Sequence, residues 1–322
     1  MELLFFMPLL LGLGLVAALV GDDDDDEDSG GEEQTGITGT ESADSLLGTE
    51  GPDRIFGLGG DDIIGGLGGD DHIDAGPGND IVDGGAGDDT IRGDLGDDWI
   101  GGGVGDDNIF GGAGNDTVFV GPEEGGDRIF LGDGSDILDA SGATDDLFAR
   151  GGAGRDIMHS GIGDDTLYGD AGSDALRSAG GSDVMYGGSG NDYLRAVDSL
   201  PGAVGSDALY GGAGNDRLTG DGGDILTGGT GHDIFEKDYR GLGEGVMTVT
   251  DFDPAEDRLE IYVEGGPELP EVTLRVDGDH TIVTVNGVDE VLLQAIQPGA
   301  LDADAFIVHR VPLAAEAATA AP

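Results

Sequence analysis

The chain is organised by a nine-residue repeat in which glycine, aspartate and an apolar residue return at fixed positions. Clear copies are Gly84–Arg92, Gly111–Phe119 and Gly211–Thr219, which give the template G-G-x-G-x-D-x-U-x with U apolar. Twenty-one copies align, in runs over Gly39–Phe119, Pro122–Phe148, Gly151–Arg195 and Gly202–Glu236, with one residue deleted near Gly220. A short fixed period is typical of a solenoid. Low-complexity disorder has no reason to hold three positions in phase over this length, so the pattern favours a folded repeat protein.

The repeat is regular at its sixth and eighth positions and departs from the template in a few places. We read the sixth position as Asp and the eighth as apolar in every copy, whereas the fourth is Gly except at Ser42 and Ala143. Sites at those two copies are expected to be weak or missing. Three inserts, Val120-Gly121, Ala149-Arg150 and Ala196–Pro201, interrupt the repeat. We expect these inserts to bulge out as loops and to divide the solenoid into segments.

The template combines a very short strand with a loop rich in oxygen ligands. The last three residues, x-U-x, alternate so that only the middle side chain points inward. The first six must turn the chain, and glycine accepts the positive φ and the close backbone approach that this requires. Carbonyl oxygens and one carboxylate then face the space between stacked loops. Such hard oxygen ligands suit Ca²⁺ better than Mg²⁺, and the chain has no Cys and five His to offer softer ligands.

On these residues the chain resembles the RTX, or haemolysin-type, calcium-binding repeat proteins, over about two thirds of its length. The resemblance implies an all-β fold: a parallel β-roll with two nonapeptides per turn, Ca²⁺ between loops of neighbouring turns, and a small C-terminal β cap. The carboxylate ligands it implies are Asp62, Asp71, Asp80, Asp89, Asp98, Asp107, Asp116, Asp136, Asp156, Asp165, Asp174, Asp183, Asp192, Asp207, Asp216 and Asp233. The backbone carbonyl ligands it implies are those of Gly84, Gly85, Gly87, Gly111, Gly112, Gly114, Gly187, Gly188 and Gly190.

Composition limits the partners and predicts that folding depends on metal. The formal net charge is −55, which argues against nucleic acid as a partner. Stacked Asp residues repel one another without metal, and each copy buries only about one aliphatic side chain, so we expect a disordered metal-free state and a β-rich calcium-bound state. Extracellular calcium modules bind at about 10⁻⁴ to 10⁻³ M. The chain is therefore expected to fold outside the cell, as a secreted or cell-surface protein, and the resemblance implies export by a type I secretion apparatus.

The two ends differ from the repeats. Residues 1–20 include an uncharged apolar stretch at 3–20 that is expected to act as a membrane anchor or a cleaved signal, followed by an acidic disordered linker at 21–38. The β-roll is assigned to 39–236. Strands are predicted at Val272–Val276, Thr281–Val285 and Val288–Leu293, with turns at Asp277-Gly278 and Asn286-Gly287. Residues 237–310 are thus interpreted as a β cap and possible type I secretion region, and 311–322 as a disordered tail.

No catalytic motif accompanies the repeats. The chain lacks H-E-x-x-H, G-x-S-x-G and G-x-x-x-x-G-K-[ST], so we expect it not to be an enzyme. The favoured function is calcium binding in a structural, cell-surface or matrix role. The alternatives are a calcium-dependent adhesin that contacts its partner through 196–201, or an enzyme or toxin with an unrecognised C-terminal site.

Overall fold

A computed structural model describes residues 35–122, 125–198, 205–238, 245–264, 271–301 and 305–311. The predicted apolar segment 3–20, residues 21–34 of the predicted linker and residues 312–322 of the predicted tail lie outside this set. The chain divides into an N-terminal unit, residues 1–161, and a C-terminal unit, residues 162–322. The predicted fold class, an all-β parallel solenoid, is confirmed.

In the N-terminal unit the strands alternate between two parallel sheets, with β1-β3-β5-β7-β9-β11-β13 in one and β2-β4-β6-β8-β10-β12-β14 in the other. Their bounds are β1 Thr35–Thr38, β2 Ser45–Leu47, β3 Asp53–Phe56, β4 Ile63–Gly68, β5 His72–Pro77, β6 Ile81–Ala86, β7 Thr90–Leu95, β8 Trp99–Val104, β9 Asn108–Ala113, β10 Thr117–Phe119, β11 Arg128–Gly134, β12 Ile137–Asp139, β13 Phe148–Gly154 and β14 Ile157–His159. Because every strand pairs with the next but one, two repeats make one turn, as the resemblance implied.

The register of these sheets stacks the eighth positions of successive turns. Ile55 lies beside Ile73, and Ile73 beside Ile91, each step being two nonapeptides. These three side chains are completely buried. Ile64, Val82 and Ile100 stack in the same way in the other sheet. The interior is therefore one column of apolar residues from each sheet, and it gains size only by adding turns.

In the C-terminal unit the same alternation continues with β15-β17-β19-β21-β23 and β16-β18-β20-β22-β24-β28, and the first of these sheets ends in β27-β26-β25. The bounds are β15 Thr166–Gly172, β16 Ala175–Ser178, β17 Val184–Ser189, β18 Tyr193–Ala196, β19 Ala208–Ala213, β20 Arg217–Gly220, β21 Ile225–Thr230, β22 Ile234–Lys237, β23 Met247–Val249, β24 Arg258–Glu264, β25 Val272–Asp277, β26 His280–Val285, β27 Val288–Leu293 and β28 Phe306–Val311, with a 3₁₀ helix at Pro298–Ala300. Parallel pairing thus continues past Glu236 through β23, β24 and β28.

The meander predicted at the C-terminal end is present as β25, β26 and β27, which pair antiparallel. Asn286 and Gly287 connect β26 to β27 with φ of 50° and 84°, the left-handed pair that a tight hairpin turn of type I′ requires. The other turn is shifted by one residue from its predicted place. Asp277 pairs with His280, so the loop is Gly278-Asp279.

The expectation that the inserts bulge out is wrong for the residues that the structure describes. Val120 is 7 % exposed and its N–H donates to the carbonyl of Asp139, so the residue is buried and hydrogen-bonded to the next turn. Ala149 is an inward-facing residue of β13 and pairs with Ile129. Ala196 is completely buried at the end of β18. Residues 199–201 lie outside the described residues.

One repeat is assigned to the wrong register by the sequence pattern. The N–H of Phe148 donates to the carbonyl of Asp127, as the seventh position of each copy does to the sixth position one turn earlier. Leu147, 3 % exposed, therefore occupies the sixth position instead of Asp145. Asp145 lies in the loop, where its carboxylate accepts the N–H of Gly125 at 3.3 Å. This copy has no carboxylate where a metal ligand is expected.

Left-handed backbone occurs at the second loop position even where the residue is not glycine. Leu58 and Leu67 have φ of 79° and 80° and side chains that are 42 % and 43 % exposed. A left-handed residue with a Cβ strains the folded state by about 1–2 kcal/mol. Replacing it with glycine removes this strain but lowers stability by roughly 0.5–1 kcal/mol, because glycine gives the unfolded chain more conformational freedom. We therefore expect Leu58→Gly and Leu67→Gly each to raise the calcium-saturated free energy of unfolding by about 0.5–1 kcal/mol.

Denaturant titration at saturating Ca²⁺ measures this change, with Leu47→Gly as the matched control. Leu47 is also a partly exposed leucine, at 36 %, but it lies in strand β2 and is not left-handed. Its replacement should lower stability. Equal losses in all three variants would contradict the assignment of strain to the two loop positions.

Candidate metal centre

The sixth-position aspartates form continuous ladders inside the solenoid. Asp80 accepts the N–H of Asp62 through Oδ1 at 2.7 Å, and Asp98 accepts the N–H of Asp80 in the same way at 2.8 Å. In the N-terminal unit the ladders are Asp44-Asp62-Asp80-Asp98-Asp116-Asp136-Asp156 and Asp53-Asp71-Asp89-Asp107-Asp127. In the C-terminal unit they are Asp165-Asp183-Asp207-Asp224 and Asp174-Asp192-Asp216-Asp233-Asp257. One backbone donor therefore fixes Oδ1 of each carboxylate after the first in a ladder.

The second carboxylate oxygen is buried and has no hydrogen-bond partner in many copies. This holds for Oδ2 of Asp62, Asp71, Asp80, Asp89, Asp98, Asp116, Asp136, Asp192 and Asp216. A buried polar group without a partner costs about 1–3 kcal/mol, and more if it is charged. The stability of an ordinary domain is only about 5–15 kcal/mol, so a row of such oxygens is a large penalty. The ladders therefore require something that neutralises them.

Backbone oxygens converge on the same places. A Cβ added to Gly111 would lie 2.5 Å from the carbonyl oxygen of Leu131 and 2.6 Å from Oδ2 of Asp116. At Gly187 the corresponding neighbours are Oδ2 of Asp192 at 2.5 Å and a first-position carbonyl oxygen at 2.6 Å. The first glycine of the repeat thus leaves open a cradle between a carboxylate oxygen and a carbonyl oxygen of the next turn. Hard oxygens of both kinds are the ligands that Ca²⁺ prefers.

The predicted glycine carbonyls fall into two groups. The first-position carbonyls, those of Gly84, Gly111 and Gly187, lie beside Oδ2 of Asp71, Asp98 and Asp174 respectively, where they could share an ion with the carboxylate. The second- and fourth-position carbonyls face the equivalent position of the neighbouring turn in the outer part of the loop, which applies to Gly85, Gly87, Gly112, Gly114, Gly188 and Gly190. The first-position carbonyls therefore lie next to the ladder carboxylates, whereas the second- and fourth-position carbonyls lie in a row along the outer loops.

Burial changes the acidity of the ladder. Desolvation is the largest effect, and it raises the pKa of Asp89, Asp98 and Asp136 to about 7 and that of Asp207 to about 8. The backbone N–H received by each carboxylate opposes this rise, and neighbouring aspartates of the ladder add to it. Without a cation, these groups are driven toward the protonated form near neutral pH.

Two aspartates at the N-terminal end of the ladders differ from the others in the hydrogen bonds that Oδ2 accepts. Oδ2 of Asp53 accepts the N–H of Thr49 at 2.6 Å and its hydroxyl at 3.0 Å, and Thr40 makes the same pair of bonds to Asp44. Threonine stands here at the second loop position, which is most often glycine in later copies. The side chain thus supplies a donor where later copies leave an oxygen open.

Sequence reasoning missed one member of the ladders beyond the repeats. Asp257 is 4 % exposed, accepts the N–H of Asp233 through Oδ1 and that of Asp253 through Oδ2. Leu259 pairs with Phe235 of the last repeat. Asp257-Arg258-Leu259 keeps the Asp-x-apolar spacing of the template without its glycines, and that spacing was the available signal.

Side chains alone do not make a metal centre in the parts of the chain that the structure covers. No group of three or more His, Asp or Glu side chains is arranged there to hold an ion. A calcium site in these loops therefore draws much of its coordination from the backbone. None of the helices in the described ranges has the length and apolar character needed to cross a membrane.

Comparison with known proteins identifies the family. The model of the RTX calcium-binding nonapeptide repeat matches residues 38–194 and 201–235 in seven overlapping segments, more than half of the chain. The chain belongs to this family of calcium-binding repeat proteins. No match was found among curated proteins.

Three solved structures are similar in part. A hyperactive, Ca²⁺-dependent, β-helical antifreeze protein from an Antarctic bacterium is 22 % identical, over 70 % of this chain and 85 % of that one, with a TM-score of 0.40. A subunit of the mannuronan C5-epimerase of Azotobacter vinelandii is 24 % identical, over 48 % and 78 %, with a TM-score of 0.25. An extracellular lipase of Serratia marcescens is 18 % identical, over 85 % and 42 %, with a TM-score of 0.20. At these identities and TM-scores no function is transferred from them.

Proposed function

We propose that this protein is an exported structural protein of the cell surface or matrix whose β-roll folds when its ladders bind Ca²⁺. The residues that would hold the ions are the predicted sixth-position aspartates, through Oδ2, together with the first-position carbonyls. The bound ions would supply positive charge and fill the coordination that the backbone leaves open. The chain's own residues orient the oxygens and exclude water.

The observation that carries this proposal is the row of buried Oδ2 atoms without hydrogen-bond partners. Near neutral pH a chain of net charge −55 cannot assemble these rows without a counter-charge, and its interior holds only one column of apolar side chains from each sheet. Metal binding then supplies the free energy of folding. Because cytosolic calcium is low and extracellular calcium is millimolar, the same switch suits passage through a type I secretion apparatus as an unfolded chain. Membrane attachment through residues 3–20 belongs to this proposal as an alternative to cleavage.

A structural role is favoured over the two alternatives. An adhesin that uses 196–201 would need that segment at the surface, but Ala196 and Val197 are buried. An enzyme would need reactive groups distinct from the repeated ladder. The C-terminal strands instead extend the sheets, as a protective cap would.

The test is far-UV circular dichroism of residues 22–322 during a Ca²⁺ titration, with Mg²⁺ as the matched control. We expect a cooperative gain of β signal with Ca²⁺ at roughly 10⁻⁴ to 10⁻³ M, and none with Mg²⁺, which demands small octahedral sites and dehydrates reluctantly. A β-rich spectrum in the presence of chelator at neutral pH would overturn metal-coupled folding. A β-rich spectrum produced equally by both ions would overturn a calcium-specific site.

A further inference from the structure

Two buried aspartates of the C-terminal unit lie outside the sixth positions. Asp198 follows β18, and Asp221 stands at the second position of the copy that lacks one residue. Both are almost fully buried, at 0 % and 1 % exposed. The N–H of Asp198 donates to Oδ2 of Asp221 at 3.1 Å, and Gly205 donates its N–H to Oδ2 of Asp198 at 2.8 Å. They therefore form a short rung of their own beside the main ladder.

Each of these two carboxylates keeps one oxygen unsatisfied. Oδ1 of Asp198 and Oδ1 of Asp221 are buried and have no hydrogen-bond partner. Asp224 nearby differs, because its two oxygens accept the N–H groups of Asp207 at 3.0 Å and Asp221 at 2.6 Å. Two open oxygens thus occur on hydrogen-bonded residues of neighbouring turns, in addition to those of the repeats.

Asp221 lies inward in the copy that lacks one residue. Asp94 occupies the same second position in a full-length copy, where it is left-handed with φ of 75° and exposed to solvent. Asp221 is not left-handed, and its N–H caps the carboxylate of Asp224 three residues later. The second-position carboxylate is therefore buried in the shortened copy and exposed in the full-length copy of Asp94.

Among the residues that the structure describes, the charge around the two carboxylates is not balanced. Asp207, Asp224 and Asp198 lie near enough to Asp221 or to one another to raise each other's pKa. Lys237, 6 % exposed, supplies a positive charge to Asp221 and Asp224, but Glu290 also faces it. One ammonium group against this number of buried carboxylates leaves an excess of negative charge.

We propose that Oδ1 of Asp198 and Oδ1 of Asp221 bind an additional divalent cation, at a site that is not part of the nonapeptide pattern. Two carboxylate oxygens and no softer ligand favour Ca²⁺, with backbone carbonyls and water completing the coordination. This donor set agrees with the lack of any group of three ligating side chains in the described part of the chain. The choice of calcium as the ion rests on the proposed function. The observation of two buried oxygens without partners is independent of it.

Native mass spectrometry of the chain from residue 22 onward at saturating Ca²⁺ counts the bound ions. The variant is Asp198→Asn with Asp221→Asn, because each carboxamide can still accept the backbone N–H while it presents an NH₂ group where the ion would lie. The charge-matched control is Asp277→Asn with Asp279→Asn, two exposed residues of the C-terminal hairpin. We expect the variant to bind one ion fewer than the wild type and the control to bind the same number.

Two results would overturn the inference. The first is an unchanged ion count in a folded Asp198→Asn, Asp221→Asn variant. The second is an ion count that Lys237→Met raises by one, a measurement that remains informative if the double Asn variant fails to fold. An ion count unchanged by Lys237→Met supports the site, and a count raised by one shows that the lysine itself had been the counter-charge. A wild-type chain that binds no ions would refute both the proposed function and this inference. A wild-type chain that binds a single ion, which the double Asn variant does not bind, would support this inference and refute the proposed function.

Discussion

Acidification is expected to fold the metal-free chain and, over the same pH range, to weaken its binding of Ca²⁺. Burial raises the pKa of the ladder carboxylates from an ordinary 3.8 to about 6 at Asp62 and Asp116, about 7 at Asp89 and Asp98, and about 8 at Asp207. The folded metal-free state therefore binds more protons than the unfolded chain between these values. Its stability is greatest below the unfolded pKa and is lost as pH rises through about 6 to 8.

Calcium responds in the opposite direction because it competes with the protons. An ion that must displace one proton from a group of pKa about 7 loses about tenfold in apparent affinity for each pH unit below that value. From pH 7 to pH 6, where such a group is only part-way through its titration, we expect the half-saturating Ca²⁺ concentration to rise about fivefold for each proton displaced. The β signal measured in chelator should meanwhile rise from pH 8 to pH 5.

Circular dichroism in chelator and calcium titrations at pH 8, 7 and 6 test the two trends together. The lower limit of pH 5 stays above the isoelectric point of about 4.1, and sedimentation velocity confirms that the acid-induced β signal belongs to the monomer. Asp98→Asn serves as the control, since a carboxamide in the ladder cannot titrate and should flatten both trends. A metal-free chain that stays unfolded at pH 5, or calcium binding that strengthens on acidification, would contradict the buried-ladder account.

The nine-residue period predicts the interior well because the eighth residue of each repeat has one role, to fill the interior. Ile55, Ile73 and Ile91 are at the eighth position in the sequence and in the solenoid column. The same regularity predicts one carboxylate per copy in the ladders, and Asp62, Asp80 and Asp98 lie there in successive turns. Here local pattern and sheet pairing impose the same register.

The prediction fails where two registers satisfy the same local pattern. Asp145-Asp146-Leu147 has the Asp-x-apolar spacing, so the sequence places Asp145 at the sixth position and the extra residues after Phe148. Pairing with the neighbouring turn decides otherwise, because it aligns Ala149 with Ile129 and moves the extra residues into the loop. That choice depends on hydrogen bonds across about twenty residues, which a nine-residue template does not contain. Asp198 and Asp221 were missed for a similar reason, since only the fold brings an insert beside a shortened copy.

Gly114→Ala is expected to destabilise the calcium-saturated protein by about 2–5 kcal/mol, although the change adds one methyl group and removes no metal ligand. Gly114 has φ of 144°, where a residue with a Cβ is strained by about 1–2 kcal/mol. The added Cβ would also collide with the carbonyl oxygen of Gly96 on the neighbouring turn, and forcing extra volume into a packed site costs about 1–3 kcal/mol. Backbone atoms form the obstacle, so no side-chain rotation can relieve it.

Gly101→Ala is the matched control from the same unit. Gly101 lies in strand β8, is not left-handed, and a Cβ added there meets no atom within 4 Å. This variant should be neutral or more stable by about 0.5 kcal/mol, because alanine has less freedom to lose on folding. Denaturant titrations of both variants at saturating Ca²⁺ give the comparison. Similar stabilities for the two would mean that neighbouring turns can move apart at no cost, and the spacing that aligns carboxylate and carbonyl oxygens would then not be set by the glycines.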